Sequence, residues 1–134
     1  MALQDSYNCL LVESIATDVA TTDAYTLNIP YTGSGIVVRR ITCYDSRLLT
    51  TGATANNATA TLGVFTAAGG TGVTIVADAA LTTHTGSTIV SDRTVAATAL
   101  TPKVTATTLI FRVGTASGVA NSGISAAVEY SVLP

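Results

Sequence analysis

The sequence predicts an all-β protein built as a single β-sandwich, a jelly roll or a related Greek key, of about seven or eight strands. Short runs of alternating apolar and polar residues recur along the chain, and turn residues separate them. No segment shows the 3.6-residue apolar repeat of an amphipathic helix. The 134 residues correspond to one domain, which we divide into a short N-terminal arm at residues 1–6 and a sandwich at residues 7–134.

The first part of the chain supplies three predicted strands. Residues 7–13 are mostly apolar on both faces, and a polar, turn-like segment at residues 18–23 follows. The second strand alternates clearly: Tyr25, Leu27, Ile29 and Tyr31 point to one face, and Thr26 and Asn28 to the other. Pro30 ends this strand or places it at a sheet edge, because proline donates no ladder hydrogen bond. After a glycine-rich turn, residues 36–44 form a long β-branched run that is typical of a central strand.

Two adjacent arginines, Arg39 and Arg40, conflict with a regular strand at residues 36–44. Neighbouring strand residues face opposite sides, so both side chains cannot reach the same solvent face. A β-bulge or an arginine with a buried stem and an exposed head would resolve the conflict. Alternatively, one arginine lies under a loop or at a subunit boundary. We predict that Arg39 and Arg40 mark an interface, either between subunits or with another protein.

The remaining predicted strands are shorter. After a loop of small polar residues at 50–58, one face carries Ala60, Leu62 and Val64, with Gly63 opposite. A glycine-rich turn at residues 69–72 leads into a strand at 73–76, and residues 89–95 are strand-like around an Asp92–Arg93 pair. The last two strands carry inward trios at Leu109, Phe111 and Val113 and at Val128, Tyr130 and Val132. Ile110, Arg112 and Glu129 then point outward, and we expect Arg112 and Glu129 to pair across neighbouring antiparallel strands.

Composition excludes several functional classes. Only 10% of the residues are charged, the net charge is −2 and the basic residues are scattered. We therefore expect no basic surface that binds nucleic acid. No run reaches the length of a transmembrane helix, and we see no secretory signal, so we expect synthesis in a cytoplasm and no membrane partner. Apolar residues make up 48% of the chain but aromatic residues only 5%. These values predict a thin core of small side chains and a surface that a partner covers.

Chemically reactive residues are few. Cys9 and Cys43 are able to pair, but each sits in an apolar run where a free, buried thiol is the more common state. His84, the single histidine, has no ligand-spaced neighbour for a metal site and lies in a hydroxyl-rich loop without an evident catalytic partner. The Asn57–Thr59 tripeptide matches a glycosylation acceptor, which carries little weight without a secretion signal. We therefore expect no enzyme activity, cofactor, metal or small-molecule substrate.

The sequence from residue 58 to residue 134 resembles that of a known group of proteins. It includes ATATLGVFTAAGGTGVTIVADAAL, LTTHTGSTIVSD and TLIFRVGTASGVANSGISAAVEYSVLP. These Thr-, Ala- and Gly-rich strands are similar to the capsid decoration, or cement, proteins of tailed bacteriophages. The resemblance implies a β-sandwich homotrimer that binds the major capsid protein on the outer surface of the virion, at its three-fold positions, and is made in the host cytoplasm. It carries over no catalytic residue.

Three alternatives remain at this stage. The first is a receptor-binding, head-fibre or tip β-module of the same virion. The second is a bacterial surface or pilus-like module, which the missing secretion signal disfavours. An enzyme comes last. A cement protein binds the empty assembled capsid in stoichiometric amounts, whereas a tip module is present in a few copies and binds host cells.

Overall fold

The computed structural model describes residues 8–45, 57, 59–81, 90–93 and 104–134. These residues form eight strands: β1 (Asn8–Ala16), β2 (Thr22–Asn28), β3 (Gly35–Asp45), β4 (Thr61–Ala67), β5 (Thr71–Ala80), β6 (Val90–Arg93), β7 (Thr108–Val113) and β8 (Gly123–Leu133). The only helical element within the described residues is a 3-10 turn at Ala68–Gly70. The predicted arm at residues 1–6, His84 and most of the loop at 50–58 lie outside the described residues.

The eight strands form two antiparallel sheets with a nested pairing pattern. Strand β1 pairs with β8, β2 with β7, β3 with β6 and β4 with β5. Two further pairings, β3 with β8 and β4 with β7, complete sheets of order β1-β8-β3-β6 and β2-β7-β4-β5. Pairing the first strand with the last, and so on inward, is the arrangement of a jelly roll. The predicted all-β sandwich is therefore confirmed, with jelly-roll connections.

The core lies between the two sheets and consists mainly of aliphatic side chains. Its largest fully buried members are Phe111, Ile15, Ile36, Ile41, Leu62, Ile75, Leu81, Leu109 and Ile124. Phe111 and Tyr130 are the aromatic residues of this cluster within the described chain. The inward trios predicted on β7 and β8 face this core, with Val132 only partly buried at its margin. Alternation of apolar residues predicted these positions, although both strands also bury a residue on the outer face, Ile110 on β7 and Ala127 on β8.

The turn between β4 and β5 depends on glycine. Gly69, Gly70 and Gly72 have φ angles of 70°, 75° and 75°, in the left-handed region where only glycine is unstrained. Thr71 contributes a hydroxyl that donates to the carbonyl of Ala68 at 2.7 Å. The glycine-rich segment is thus a hairpin turn, as the sequence predicts.

Strand β2 departs from the predicted pattern at one position. Leu27 and Ile29 are buried as expected, but Tyr25 is 36% exposed. The β2–β7 register shifts between Asp23 and Tyr25, and β2 ends its sheet, so Tyr25 lies at the rim of the sandwich. The strand ends at Asn28, two residues before Pro30.

Candidate functional site

Arg39 and Arg40 lie at a bulge in the central strand β3. The pairing of β3 with β8 runs from Val38 opposite Tyr130 to Arg40 opposite Glu129, so Arg39 is the extra residue. A bulge places two residues of one strand against one residue of the other and resets the alternation of side chains. Both arginines are consequently exposed on the outer face of the β1-β8-β3-β6 sheet. The bulge is thus the explanation for the adjacent arginines, and it turns both of them outward.

The neighbours of the two arginines fix their side chains on this face. Arg40 binds Glu129 in bidentate fashion, with Nε donating to Oε2 at 3.0 Å and a terminal nitrogen donating to Oε1 at 2.9 Å. Arg39 donates from Nε to the hydroxyl of Ser131 at 3.1 Å. The Arg40 side chain remains 53% exposed. A planar, oriented guanidinium that keeps contact with solvent is able to bind a partner carboxylate or carbonyl at little cost in side-chain entropy.

The predicted pair between Arg112 and Glu129 is wrong. Strand β7 belongs to the β2-β7-β4-β5 sheet and β8 to the other sheet, so the two side chains point away from opposite faces of the sandwich. Arg112 instead binds Asp23 of β2, with a 2.9 Å contact between the guanidinium and the carboxylate. Glu129 binds Arg40. Successive strands of a jelly roll cross between sheets, and adjacency in sequence therefore gave the wrong partners.

Asp23 holds together three elements of the second sheet. Its carboxylate accepts the backbone N–H of Gly69 at 2.9 Å and the Arg112 guanidinium. The hydrogen bond from Gly69 and then that from Arg112 lower the pKa of Asp23 below its usual range. The ionised carboxylate therefore ties the β4–β5 turn to strands β2 and β7.

The two cysteines are free thiols on opposite faces of the same sheet. Cys9 lies on edge strand β1 opposite Glu129 and is exposed, whereas Cys43 on β3 is buried in the core. Strand β8 separates them, so a disulfide would require the sheet to rearrange. The expectation that Cys9 is a buried hydrophobe is wrong, because the bonding register turns it to the outer face.

A buried polar network joins loops at one end of the sandwich. The Thr17 hydroxyl donates to Asn57 Oδ1 and lies 2.9 Å from the Ser122 hydroxyl, which in turn contacts Ser117. Asn57 donates from Nδ2 to the carbonyl of Gly123 at 3.0 Å. Because the hydrogen of Thr17 goes to Asn57, Ser122 must be the donor to Thr17. Burial of Asn57 also removes it from solvent as a glycosylation acceptor.

Four large apolar side chains are exposed among the described residues, and sequence reasoning identified none of them. They are Leu11 at 60%, Val19 at 54%, Val73 at 41% and Tyr25 at 36%. Leu11 sits in a run that is apolar on both faces, so the alternation that marks an outward residue is missing there. The apolar excess of the composition was the only signal that such a surface exists.

The described residues carry little catalytic or metal-binding chemistry. They contain no group of three or more His, Cys, Asp and Glu side chains that is placed to hold a metal ion. His84, predicted to lie in a hydroxyl-rich loop, is outside them. Within the described ranges, no helix has the length and apolar character needed to cross a membrane.

Comparison with known proteins supports the fold. No protein-family model matches the chain, and no curated protein matches it. Among solved structures, the chain is similar to one in the structure titled "Cyanophage Pam1 capsid asymmetric unit". The two share 23% sequence identity and a TM-score of 0.55, and the match covers 96% of this chain and 84% of that chain. The likeness therefore extends over nearly the whole jelly roll of this protein.

Proposed function

We propose that this protein is a structural component of a phage virion, and specifically a capsid decoration, or cement, protein. In this proposal it binds the major capsid protein on the outer surface of the head as a homotrimer and stabilises the head. It is made in the host cytoplasm and joins the particle during assembly. The Thr-, Ala- and Gly-rich strands from residue 58 onward support the same assignment by resemblance.

One observation carries the proposal. The similar chain belongs to a capsid asymmetric unit, and the match covers most of both chains. That capsid component is therefore close to this protein in size and consists of little more than one sandwich. A sandwich of this size suits an accessory role, in which the protein binds a shell that a separate major capsid protein has already built.

The surface of the sandwich fits such a role. Arg39 and Arg40 stand on a rigid sheet, and arginine is enriched in protein interfaces for its forked geometry. We propose that these two residues lie at a boundary, either between subunits or with the capsid. The proposal includes no enzyme activity, no cofactor or metal, and no nucleic-acid, membrane or small-molecule partner.

The test is binding of the purified protein to empty, expanded heads that lack it. We expect stoichiometric binding, with density on the outer surface in electron micrographs, and heads that withstand higher temperature when decorated. Binding in a few copies at one vertex, or binding to host cells instead of heads, would assign the protein to a fibre or receptor-binding role. Absence of binding to heads and cells alike would overturn a virion role.

A further inference from the structure

Strand β1 has an open edge. It ends the β1-β8-β3-β6 sheet, so β8 pairs with it on one side, and no strand of the described chain lies beyond it on the other. Every second residue of an antiparallel edge strand directs its N–H and C=O groups away from the neighbouring strand. Such an edge is a template to which another extended chain is able to hydrogen-bond. A partner at this edge is therefore an extended backbone segment.

The other edges of the two sheets carry features that hinder strand addition. Strand β6 spans four residues. Strand β5 has three register irregularities against β4, and β2 has one and is followed closely by Pro30. Short length, bulges and proline are common means of protecting a sheet edge. By contrast, β1 pairs regularly with β8 from Asn8 to Val12 and contains no lysine, arginine or proline, so it is the least protected edge.

The side chains of β1 alternate between the outer face of the sheet and the core. Leu11 lies opposite Ala127 on the outer face and is 60% exposed, and Cys9 on the same face is also exposed. Leu10 and Val12 face the core, and Leu10 is only partly buried there. An added strand would consequently cover Leu11 on one face and extend the cover of Leu10 on the other.

The sequence of β1 is complementary to itself in the antiparallel direction. When residues 8–14 of two copies run antiparallel about Leu11, the cross-strand pairs are Asn8–Ser14, Cys9–Glu13, Leu10–Val12 and Leu11–Leu11. The two members of each pair share a face of the sheet, because their numbers differ by an even count. Apolar residues thus meet at the centre and polar residues at the ends. Each Glu13 stays about 13 Å along the strand from its counterpart, so no like charges face each other.

We propose that β1 pairs edge to edge with β1 of a second copy of this chain, antiparallel and centred on Leu11, so that the two first sheets form one eight-stranded sheet. The contact is isologous, with a two-fold axis through the Leu11 pair. It goes beyond the proposed function, because it is separate from the heterologous contacts that close a trimer. In the proposed particle it joins copies that belong to neighbouring trimers.

The conformation of the edge favours a second copy over other occupants. In a copy, β1 is already an extended strand held in its sheet by β8, so pairing does not require a flexible segment to become ordered. The copy also brings the complementary sequence in the required direction. A strand supplied by a capsid protein is the other occupant, and the experiments separate the two.

Disulfide trapping in concentrated, purified protein measures the contact and its register. An isolated pair of strands is only marginally stable in water, so a covalent trap is needed to record it. Directly opposite residues have Cα atoms about 4.5–5.5 Å apart, within the span of a disulfide. Leu11→Cys in a Cys9→Ser background should therefore form a covalent dimer under mild oxidation. Glu13→Cys should cross-link to the native Cys9 of a second copy, and this cross-link should be lost when Cys9→Ser is added.

Two controls measure cross-linking by random collision. The parent carries Cys9, which in this register lies about 13 Å along the strand from its counterpart and should not cross-link. Val19→Cys in a Cys9→Ser background places a thiol at a similarly exposed position outside β1. We expect a covalent dimer of the Leu11→Cys protein under conditions in which both controls remain monomers on a denaturing gel. Thermal unfolding of the reduced proteins establishes that each variant is folded.

Charge substitution at Leu11 tests the two-fold symmetry. In the Glu13→Cys protein, Leu11→Lys places two lysines opposite each other and Leu11→Glu places two glutamates there, and like charges directly opposite destabilise a strand pair. Each substitution alone should abolish the cross-link. An equal mixture of the two should restore it as a heterodimer, which mass spectrometry identifies. If β1 met a different strand of the second copy, position 11 would not face itself and mixing would restore nothing.

The outcomes separate this contact from the proposed function. Head binding without trapping of the Leu11→Cys protein above its controls would overturn the contact alone. The expected trapping without head binding would support the contact and overturn the proposed function. If trapping is absent and Leu11→Lys also abolishes head binding, β1 pairs with a strand of the capsid protein, and the contact between copies is wrong.

Discussion

Gly63 lies beneath the ring of Phe65 on the outer face of the second sheet, and a Cβ atom at position 63 would stand 2.7 Å from Phe65 Cε2. Phe65 pairs with Ile110 across β4 and β7, and both are buried although they point away from the core between the sheets. The side chain that glycine lacks is thus replaced by an aromatic ring from the same strand. This arrangement explains how an outward-facing phenylalanine is covered in a chain with few aromatic residues.

The variant Gly63→Ala is expected to lower the free energy of unfolding by about 1–3 kcal/mol, the usual cost of overpacking. The Phe65 ring must move, and the Cα of Asp78, 3.2 Å from the same Cβ position, limits adjustment on the other side. Chemical denaturation measures the change. In a Phe65→Leu background the cost of Gly63→Ala should shrink, and equal costs in both backgrounds would contradict the assigned contact.

Replacing Asp23 with asparagine tests the tie between β2, β7 and the β4–β5 turn. At pH 7 we expect a loss of about 0.2–1 kcal/mol, because the ion pair is partly exposed and screened. The folded-state pKa of Asp23 is lowered, so this stability is fully present above the unfolded pKa of about 3.9 and is lost as the pH falls through the folded value. The stability difference between parent and Asp23→Asn should therefore shrink below about pH 4. A difference that stays constant down to pH 2 would contradict a lowered pKa.

Double-mutant cycles distinguish the observed charge pairs from the pair that sequence spacing indicated. Arg40→Ala and Glu129→Ala should show a coupling of about 0.2–1 kcal/mol, because their side chains form two parallel hydrogen bonds on an exposed face. Arg112→Ala and Glu129→Ala should be additive, since β7 and β8 lie in different sheets. Urea unfolding of the single and double variants provides the energies. Coupling in the second cycle would require a different strand arrangement.

The Thr17 hydroxyl should contribute more to stability than an exposed threonine does. Thr17→Val keeps the shape of the side chain but leaves Ser122 without its acceptor and Asn57 without its donor, and we expect a loss of about 1–3 kcal/mol. Thr26→Val on the exposed face of β2 is the control and should stay within about 0.5 kcal/mol of the parent. Hydrogen exchange at the amides of Thr17 and Ser117, which form backbone bonds at this end, should accelerate only in the first variant. Equal effects of the two substitutions would show that the network adds nothing.

The two cysteines should differ in reactivity by their positions. A maleimide reagent is expected to label Cys9 rapidly in the folded protein, whereas Cys43 reacts only after unfolding. Mass spectrometry of the parent and of Cys9→Ser identifies the labelled residue. Rapid labelling of native Cys9→Ser would show that Cys43 is accessible.

The local alternation of apolar and polar residues was enough to predict most strands, but it did not predict which strands pair with each other in the sheets. The trio of Leu109, Phe111 and Val113 was identified because alternation reports which face is buried. The conflict between Arg39 and Arg40 likewise pointed to an irregularity in the strand, and a bulge, one of the explanations that the sequence left open, is the one observed. Pairing of strands far apart in the chain leaves no such local signal, and Arg112 was therefore assigned the wrong partner.

The candidate site was predicted in part for similar reasons. The arginines stand out in a chain with few charges. Leu11 lies on the outer face of the first sheet, opposite Ala127 of β8, but its run is apolar on both faces, so the sequence does not show which face looks outward. The Thr17–Asn57 contact was missed because threonine and serine are abundant in this chain, and among the described residues few of them are buried. Whether a given hydroxyl is buried depends on how loops that are distant in sequence pack together, as those of Thr17, Asn57 and Ser122 do.

The nested pairing of the strands also has a kinetic consequence. Strand β8 binds both β1 and β3, so the first sheet has no continuous hydrogen-bond ladder until the latest of the eight strands leaves the ribosome. Strands β1 and β3 have unpaired edges until then, and most contacts among the described residues join parts of the chain that are distant in sequence. Such non-local topologies fold slowly, on millisecond to second timescales, and expose unpaired edges to aggregation meanwhile. Maturation of this protein is therefore expected to be post-translational, and any stall in synthesis before Gly123 should leave a chain that cannot fold.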